Sequence, residues 1–155
     1  MESKKLELLI DRAIKNEEDA REFYMGLHEK VGRSEAGEAL LFMAKEEEKH
    51  REFLVGYKEG KYKISSLNMS DVVDYKIAQY IESPDLDKDM QTKDVYLVAA
   101  HRELNSHNFY KNLAQIQPPG EVKDMLLRMA AEELKHKEKV EYLYTNTAFP
   151  QTQGG

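Results

Sequence analysis

The chain has 155 residues and a net charge of −6, and acidic and basic side chains are interleaved without a long basic run. This length suits one domain, and the charge pattern argues against nucleic acid or an anionic membrane as a partner. Because the chain contains no cysteine, a disulfide scaffold, a zinc ribbon, an iron–sulfur cluster and a thiol nucleophile are excluded.

No apolar stretch approaches the roughly 20 residues of a membrane helix. The N-terminal residues also lack the long apolar core of a signal peptide. We therefore expect a soluble, cytoplasmic protein.

The first half of the chain carries two segments with helical periodicity, rich in Glu, Lys, Leu and Ala. The first is predicted from about Ser3 to Val31, ending near Gly32, and the second from about Ser34 to Glu59, ending at Gly60. Ser3 and Ser34 are the predicted N-caps. The short turn between the two segments predicts an antiparallel helical hairpin.

The second half repeats this organisation. A third helix is predicted from about Thr92 to Gln117, ending at Pro118 and Pro119, and a fourth from about Gly120 to Thr145. Their short connection predicts a second antiparallel hairpin, which would pack on the first.

A connection of about thirty residues, 61–91, joins the hairpins, and it is too long for a simple turn. A short helix is predicted within it from Val72, Val73, Ile77, Ala78 and Ile81, capped by Ser70 or Asp71 and closed by Pro84. Such a crossover predicts an all-α, ferritin-like four-helix bundle over residues 1–148. Residues 149–155 are predicted to form a disordered tail.

The two hairpins also resemble each other at one constant offset of 86 residues. At this offset His50 corresponds to His136, and Glu47 to Glu133. The same offset takes the first helix to the third, where Glu17 corresponds to Glu103 and Tyr24 to Tyr110. Chance similarity between two Leu- and Glu-rich helices is the alternative explanation. It accounts poorly for a His and a Tyr that recur at the same offset in separate helices. Two copies of one hairpin, related by a pseudo-twofold axis, explain all of them.

Each predicted helix carries one Glu within its apolar, inward-facing seam, and the second and fourth helices add a His three residues later. The set consists of Glu17, Glu47, His50, Glu103, Glu133 and His136. Four buried carboxylates repel one another and are costly to desolvate, whereas two divalent cations would balance their charge. Mixed carboxylate and imidazole ligands suit iron or manganese, with zinc as an adventitious occupant. These residues therefore predict a two-metal site.

On these residues the chain resembles the ferritin-like di-iron superfamily and, within it, the rubrerythrin group without the rubredoxin domain. The motifs are Glu47-x-x-His50, Glu133-x-x-His136, and a Glu with a Tyr seven residues later in the first and third helices. The resemblance implies two iron ions, with Glu47 and Glu133 bridging, Glu17 and Glu103 as terminal ligands, and one His on each iron.

Two departures from that family affect the expected activity. The chain lacks the cysteines of a rubredoxin domain, so the electron donor would be a separate protein. Ser106 stands where rubrerythrins have an additional Glu, so peroxidase activity does not follow from the resemblance alone.

Other polar residues receive simpler interpretations. Tyr24 and Tyr110 are interpreted either as partners of the ligand carboxylates or as ordinary core tyrosines. Glu46, Glu48 and Glu132 lie off the seam and are expected on solvated helix faces, and the Lys and Arg side chains are expected on the outer faces. Three histidines are expected at the surface or in structural roles: His28, His101 and His107. Met43, Met125 and Met129 are expected to fill the core.

The leading functional interpretation is a di-iron oxidoreductase that reacts with peroxide or dioxygen in defence against oxidative damage. The alternatives are a ferroxidase or iron-handling protein, a helical binding module with a structural metal, and an oxygenase acting on an organic substrate. A homodimer is compatible with the sequence, which leaves the oligomeric state open.

Overall fold

The structure, a computed structural model, describes residues 2–63, 78 and 91–148. It contains four helices, which we number in chain order: α1 Glu2–Val31, α2 Glu35–Lys58, α3 Thr92–Gln115 and α4 Glu121–Ala148. The closest packing is of α1 against α2 and of α3 against α4, while helices of different hairpins approach each other less closely. The predicted all-α bundle of two hairpins is confirmed.

The turn between α1 and α2 follows the predicted signals. Gly32 has a φ of 68°, which ends α1, and Ser34 Oγ accepts a hydrogen bond from the Gly37 amide at 3.0 Å. Ser34 is therefore the N-cap of α2, as predicted. The prediction for Ser3 was wrong, because α1 begins at Glu2 and Ser3 lies inside its first turn.

The second hairpin differs slightly from its predicted bounds. Helix α3 ends at Gln115, two residues earlier than predicted, because Pro118 disfavours helical backbone at the residue before it. Helix α4 extends to Ala148, three residues beyond the prediction. In this last turn the hydroxyls of Thr145 and Thr147 donate to the carbonyls of Glu141 and Leu143 at 3.0 and 2.9 Å.

Two apolar clusters fill the interior, one towards each end of the bundle. One contains Tyr24, Leu27, Leu40, Met43, Ala99 and Val140, and the other contains Ile10, Leu54, Leu113, Met125, Leu126 and Met129. The predicted core role of the three methionines is thus observed. Between the clusters lies a layer of buried polar side chains, which the apolar ends separate from solvent.

The predicted short helix of the crossover and the predicted disordered tail both lie outside the described residues. Within the crossover, Ala78 is described: it is buried, and its amide donates to Glu141 Oε2 at 2.8 Å. No helix in the described part of the chain is long and apolar enough to cross a membrane.

Candidate metal centre

The buried polar layer contains one glutamate from each helix. Glu17, Glu47, Glu103 and Glu133 are each at most 1% exposed. They occupy the middle of the apolar seam on α1, α2, α3 and α4, so helix formation itself turns all four carboxylates inward. His50 and His136, one turn after the glutamates of α2 and α4, are also buried.

The histidines pair with glutamates across the bundle. His50 Nδ1 lies 2.9 Å from Glu133 Oε1, and His136 Nδ1 lies 2.9 Å from Glu47 Oε1. The two imidazole rings stack with their centroids 5.1 Å apart. One ligand-type atom from each of these four residues lies within 4.8 Å of the others. Side chains from α2 and α4 thus form a compact group that could hold a metal ion.

The glutamates of α1 and α3 flank this group, one beside each histidine. Glu17 Oε1 is 3.6 Å from His50 Nδ1, and Glu103 Oε2 is 3.7 Å from His136 Nδ1. The structure therefore brings all six predicted ligand residues together. It divides them into two halves, Glu17 with His50 and Glu103 with His136, with Glu47 and Glu133 between.

Two tyrosine hydroxyls bind the flanking carboxylates. Tyr24 donates to Glu103 Oε1 at 2.7 Å, and Tyr110 donates to Glu17 Oε1 at 2.6 Å. Both tyrosines are fully buried. These bonds join α1 to α3 and are related by the 86-residue offset, so the two halves match in contacts as well as in sequence. The structure thus shows the carboxylate contact that was one of the two interpretations of these tyrosines.

Each of the four carboxylates retains an oxygen without a hydrogen-bond partner among the described residues: Oε2 of Glu17, Glu47, Glu103 and Glu133. A buried, unsatisfied carboxylate oxygen costs free energy. Coordination to a cation would satisfy these oxygens, and two divalent cations would balance four carboxylates. The donor set of oxygen and imidazole nitrogen fits a pair of iron or manganese ions.

The carboxylates divide into two electrostatic classes. Burial raises the pKa of Glu47 well above its usual range, and repulsion from Glu103, Glu133 and Glu17 raises it further. Burial and the neighbouring carboxylates act on Glu133 in the same way. The protein alone therefore disfavours the ionised form of the two central glutamates.

The flanking carboxylates behave oppositely. Burial acts to raise the pKa of Glu17, but hydrogen bonding to Glu47 and the charge of His50 outweigh it and lower the pKa to about 2. The pKa of Glu103 is also lowered, because His136, Glu133 and Tyr24 outweigh its burial. Burial acts to lower the pKa of His50, but the Glu17 carboxylate and Glu132 raise it well above its usual range.

One assignment to a solvated face was wrong. The Glu132 side chain is only 15% exposed, and its Oε2 lies 3.7 Å from His50 Nε2, on the side of the ring away from Glu133. A signal for this position was present in the sequence, because Glu132 directly precedes the seam glutamate Glu133. Glu48, in contrast, is in surface ion pairs with Arg21 and Arg51, as expected of a solvated face.

A buried ion pair was also missed. Lys137 Nζ lies 2.9 Å from Glu141 Oε1, and both side chains are completely buried, so the expectation that lysines lie on outer faces was wrong here. Ala78 of the crossover binds the other oxygen of Glu141. Ala78 therefore contacts this pair on α4, and helical periodicity alone does not reveal the contact.

Two histidines outside the seam have structural contacts between helices or turns. His28 Nδ1 lies 2.9 Å from the Gly37 carbonyl, and His107 Nδ1 lies 2.8 Å from the Ala130 carbonyl. Both observations agree with the structural role expected for these residues.

Comparison with models of known protein families gives a match to this chain. The model of the family described as Rubrerythrin matches residues 8–91, which is more than half of the chain. This range contains Glu17, Glu47 and His50, while Glu103, Glu133 and His136 lie beyond it. No curated protein and no solved structure matches the chain.

Proposed function

The chain belongs to the rubrerythrin family, and from this premise we propose that it is a non-haem di-iron oxidoreductase. Its six clustered side chains would bind two iron ions, and its substrate would be peroxide or dioxygen. The protein would then act in defence against oxidative damage. When bound, the iron pair supplies two electrons to the oxidant.

The observation that carries this proposal is the buried set of four carboxylates and two imidazoles, with four unsatisfied oxygens. Glu47 and Glu133 would bridge the two ions. Glu17 with His50 would hold one ion, and Glu103 with His136 would hold the other. This division follows the two halves that the distances already define.

The remaining residues of the layer would hold the ligands in place. Tyr24 and Tyr110 fix one oxygen of Glu103 and one of Glu17, and the second oxygen of each has no hydrogen-bond partner among the described residues, which leaves it available to a metal ion. The apolar clusters at both ends keep the site dry, which strengthens electrostatic interactions within it.

The proposal includes a separate electron-donor protein, because this chain has no cysteine with which to bind an iron–sulfur centre of its own. A ferroxidase is the second candidate. It is favoured by Ser106, which is buried in the layer where the resemblance leads one to expect an additional glutamate.

The test is to load the protein with Fe(II) without oxygen, mix it rapidly with peroxide or with dioxygen, and follow the absorption of the oxo-bridged ferric pair. A peroxidase would be oxidised much faster by peroxide and would retain two iron ions per chain. Faster oxidation by dioxygen with release of iron would instead identify a ferroxidase. The Glu47→Ala, Glu133→Ala double variant is the control and should show neither reaction.

A further inference from the structure

Two matched Glu–Lys pairs lie beside the histidines of the cluster. Glu132 and Lys135 on α4 correspond at the 86-residue offset to Glu46 and Lys49 on α2. Lys135 Nζ is 3.4 Å from Glu132 Oε1, and Lys49 Nζ is 3.5 Å from Glu46 Oε2. Both glutamates directly precede a clustered glutamate. On sequence alone, the two halves of the centre are therefore equivalent at these positions.

The contacts of the two glutamates break this equivalence. Glu132 Oε2 lies 3.7 Å from Nε2 of His50, and the Glu132 side chain is 15% exposed. Glu46 instead pairs with Lys49, and no carboxylate of the described residues lies at ion-pair distance from Nε2 of His136. One imidazole of the cluster therefore has a carboxylate on the outer side of its ring, and the other does not.

The outer carboxylate faces the ring nitrogen of His50 that is turned away from the cluster. Nδ1 lies on the cluster side, 2.9 Å from Glu133 Oε1 and 3.6 Å from Glu17 Oε1. At 3.7 Å, Glu132 is beyond hydrogen-bond distance and acts on the ring as a nearby charge. A negative charge beside Nε2 favours the imidazole proton on that nitrogen, which leaves the lone pair of Nδ1 for a metal ion.

This charge acts mainly on one half of the centre, because electrostatic attraction weakens with distance. The half formed by Glu17 and His50 lies next to it, whereas the half formed by Glu103 and His136 has no such neighbour. Glu132 is largely buried, so water and salt screen its charge less than they screen an exposed one. Two ions held by otherwise matched ligands would therefore be bound with different affinities.

We propose that Glu132 is a positioning residue that makes the two metal sites inequivalent, so that the site of Glu17 and His50 binds its ion more tightly and fills first. Glu132 acts through the imidazole of His50 and does not itself bind the metal. This inference rests on the proposed function, because it requires the two-metal centre.

The test measures how Fe(II) fills the two sites in the absence of oxygen. Calorimetric titration gives the Kd of each ion, and anomalous diffraction from crystals grown with one Fe(II) per chain shows which half is occupied. The variant is Glu132→Gln, which keeps the size of the side chain and removes its charge. Glu46→Gln is the matched control, because Glu46 is the counterpart of Glu132 and also pairs with a lysine three residues later.

With one iron per wild-type chain, we expect the stronger diffraction peak beside Glu17 and His50. Glu132→Gln should raise the Kd of the tighter ion about tenfold, the lower end of the range for residues that orient a metal ligand. It should also bring the occupancies of the two halves closer together, whereas Glu46→Gln should keep both wild-type Kd values. The wild-type peak heights test the inference even where a variant does not fold.

Three results would overturn this role of Glu132 and leave the two-metal centre intact. They are wild-type peaks that are equal or stronger in the half of Glu103 and His136, wild-type Kd values in Glu132→Gln, and the same loss of affinity in Glu46→Gln. A wild-type protein that does not bind two metal ions would overturn the proposed function and this inference together.

Discussion

At the scale of single residues, the hydroxyls of Tyr24 and Tyr110 are the contacts that hold the flanking carboxylates. Each donates to one oxygen of a fully buried glutamate from the opposite hairpin, at 2.7 and 2.6 Å. Hydrogen bonds to buried charged groups are among the stronger ones in proteins. The two tyrosines therefore both support the ligands and connect α1 with α3.

Replacing Tyr24 by Phe should lower the free energy of unfolding of the metal-free protein by about 1–3 kcal/mol, because Glu103 loses a donor without gaining solvent. Metal affinity should fall about 10–100-fold, as for other residues that orient a ligand. Chemical denaturation and a metal titration measure the two effects. Tyr142→Phe is the control, since its ring is 53% exposed. Equal behaviour of the two variants would refute the role given to Tyr24.

The buried pair Lys137–Glu141 invites comparison with the exposed pair Lys15–Asp19. Both have i,i+4 spacing and N–O distances of 2.9 and 3.0 Å, but the first pair is completely buried, whereas Lys15 and Asp19 are 68% and 50% exposed. Lys137→Met should destabilise the protein by about 3–5 kcal/mol, since it removes the ammonium group that lies 2.9 Å from a buried carboxylate. Lys15→Met should leave the denaturation midpoint almost unchanged. A small effect of Lys137→Met would show that other groups neutralise Glu141.

The sequence predicts some of these residues and not others. The seam places Glu17, Glu47, Glu103 and Glu133 in the interior, because helical periodicity alone decides which face of a helix is buried. It does not predict that Lys137 is buried beside Glu141, because the contact of Ala78 with Glu141 joins residues that are distant in sequence.

At the scale of secondary structure elements, the α1–α2 turn is the most tightly specified junction. Ser34 caps α2, and the His28 ring binds the Gly37 carbonyl at 2.9 Å. A Cβ atom at Gly37 would collide with the backbone carbonyl oxygen of Gly32. Only glycine at position 37 lets the end of α1 approach the first turn of α2 so closely.

Gly37→Ala should therefore destabilise the protein by about 1–3 kcal/mol, because the backbone of the turn must move to relieve the collision. Gly26→Ala is the matched variant inside α1, where an added Cβ has no atom within 4 Å. It should stabilise the protein by about 0.5–1 kcal/mol, through better helix propensity. Thermal denaturation separates the two, and a shift of the same sign in both variants would contradict this description of the turn.

Helix ends were predictable where a specific residue sets them and less so elsewhere. Gly32, Ser34 and Gly60 mark ends that the structure places within a residue of the prediction. The end of α4 was placed three residues too early, because the prediction stopped at Thr145, whereas the hydroxyls of Thr145 and Thr147 support one more turn. The start of α1 was missed by assigning a cap to Ser3.

At the scale of the whole molecule, the fold brings four carboxylates and two imidazoles into one dry layer, and the protein alone cannot keep all of them charged. Burial raises the pKa values of Glu47 and Glu133 well above their usual range, and the neighbouring carboxylates raise them further. Burial acts to lower the pKa of His50, but the Glu17 carboxylate outweighs it, so this pKa is also well above its usual range. Protons therefore occupy positions that a metal ion would need.

Metal binding is accordingly expected to release protons, and metal affinity should fall as the pH is lowered, because ligands bind metals in their deprotonated forms. The sign follows from the raised pKa values, which keep protons on the site at higher pH than in free side chains. Calorimetric titration in buffers of different ionisation enthalpy measures the release. Binding with no proton release and no pH dependence would contradict the charge states derived for the cluster.

The symmetry of the molecule was predictable from the 86-residue offset, and the matched contacts of Tyr24 and Tyr110 agree with it. The departures from symmetry were less predictable, because they depend on individual side-chain contacts. Glu132 beside His50, and the hydrogen bond that Arg102 donates to Ser106 Oγ, belong to this class.

The most direct test of the central claim is anomalous diffraction at the iron edge from crystals loaded with Fe(II) without oxygen. Two peaks per chain are predicted between Glu47 and Glu133, one beside Glu17 and His50 and the other beside Glu103 and His136. Crystals of the Glu47→Ala, Glu133→Ala variant should show no peak at this position. A wild-type crystal with no metal in this layer, or with a single ion, would contradict the two-metal centre.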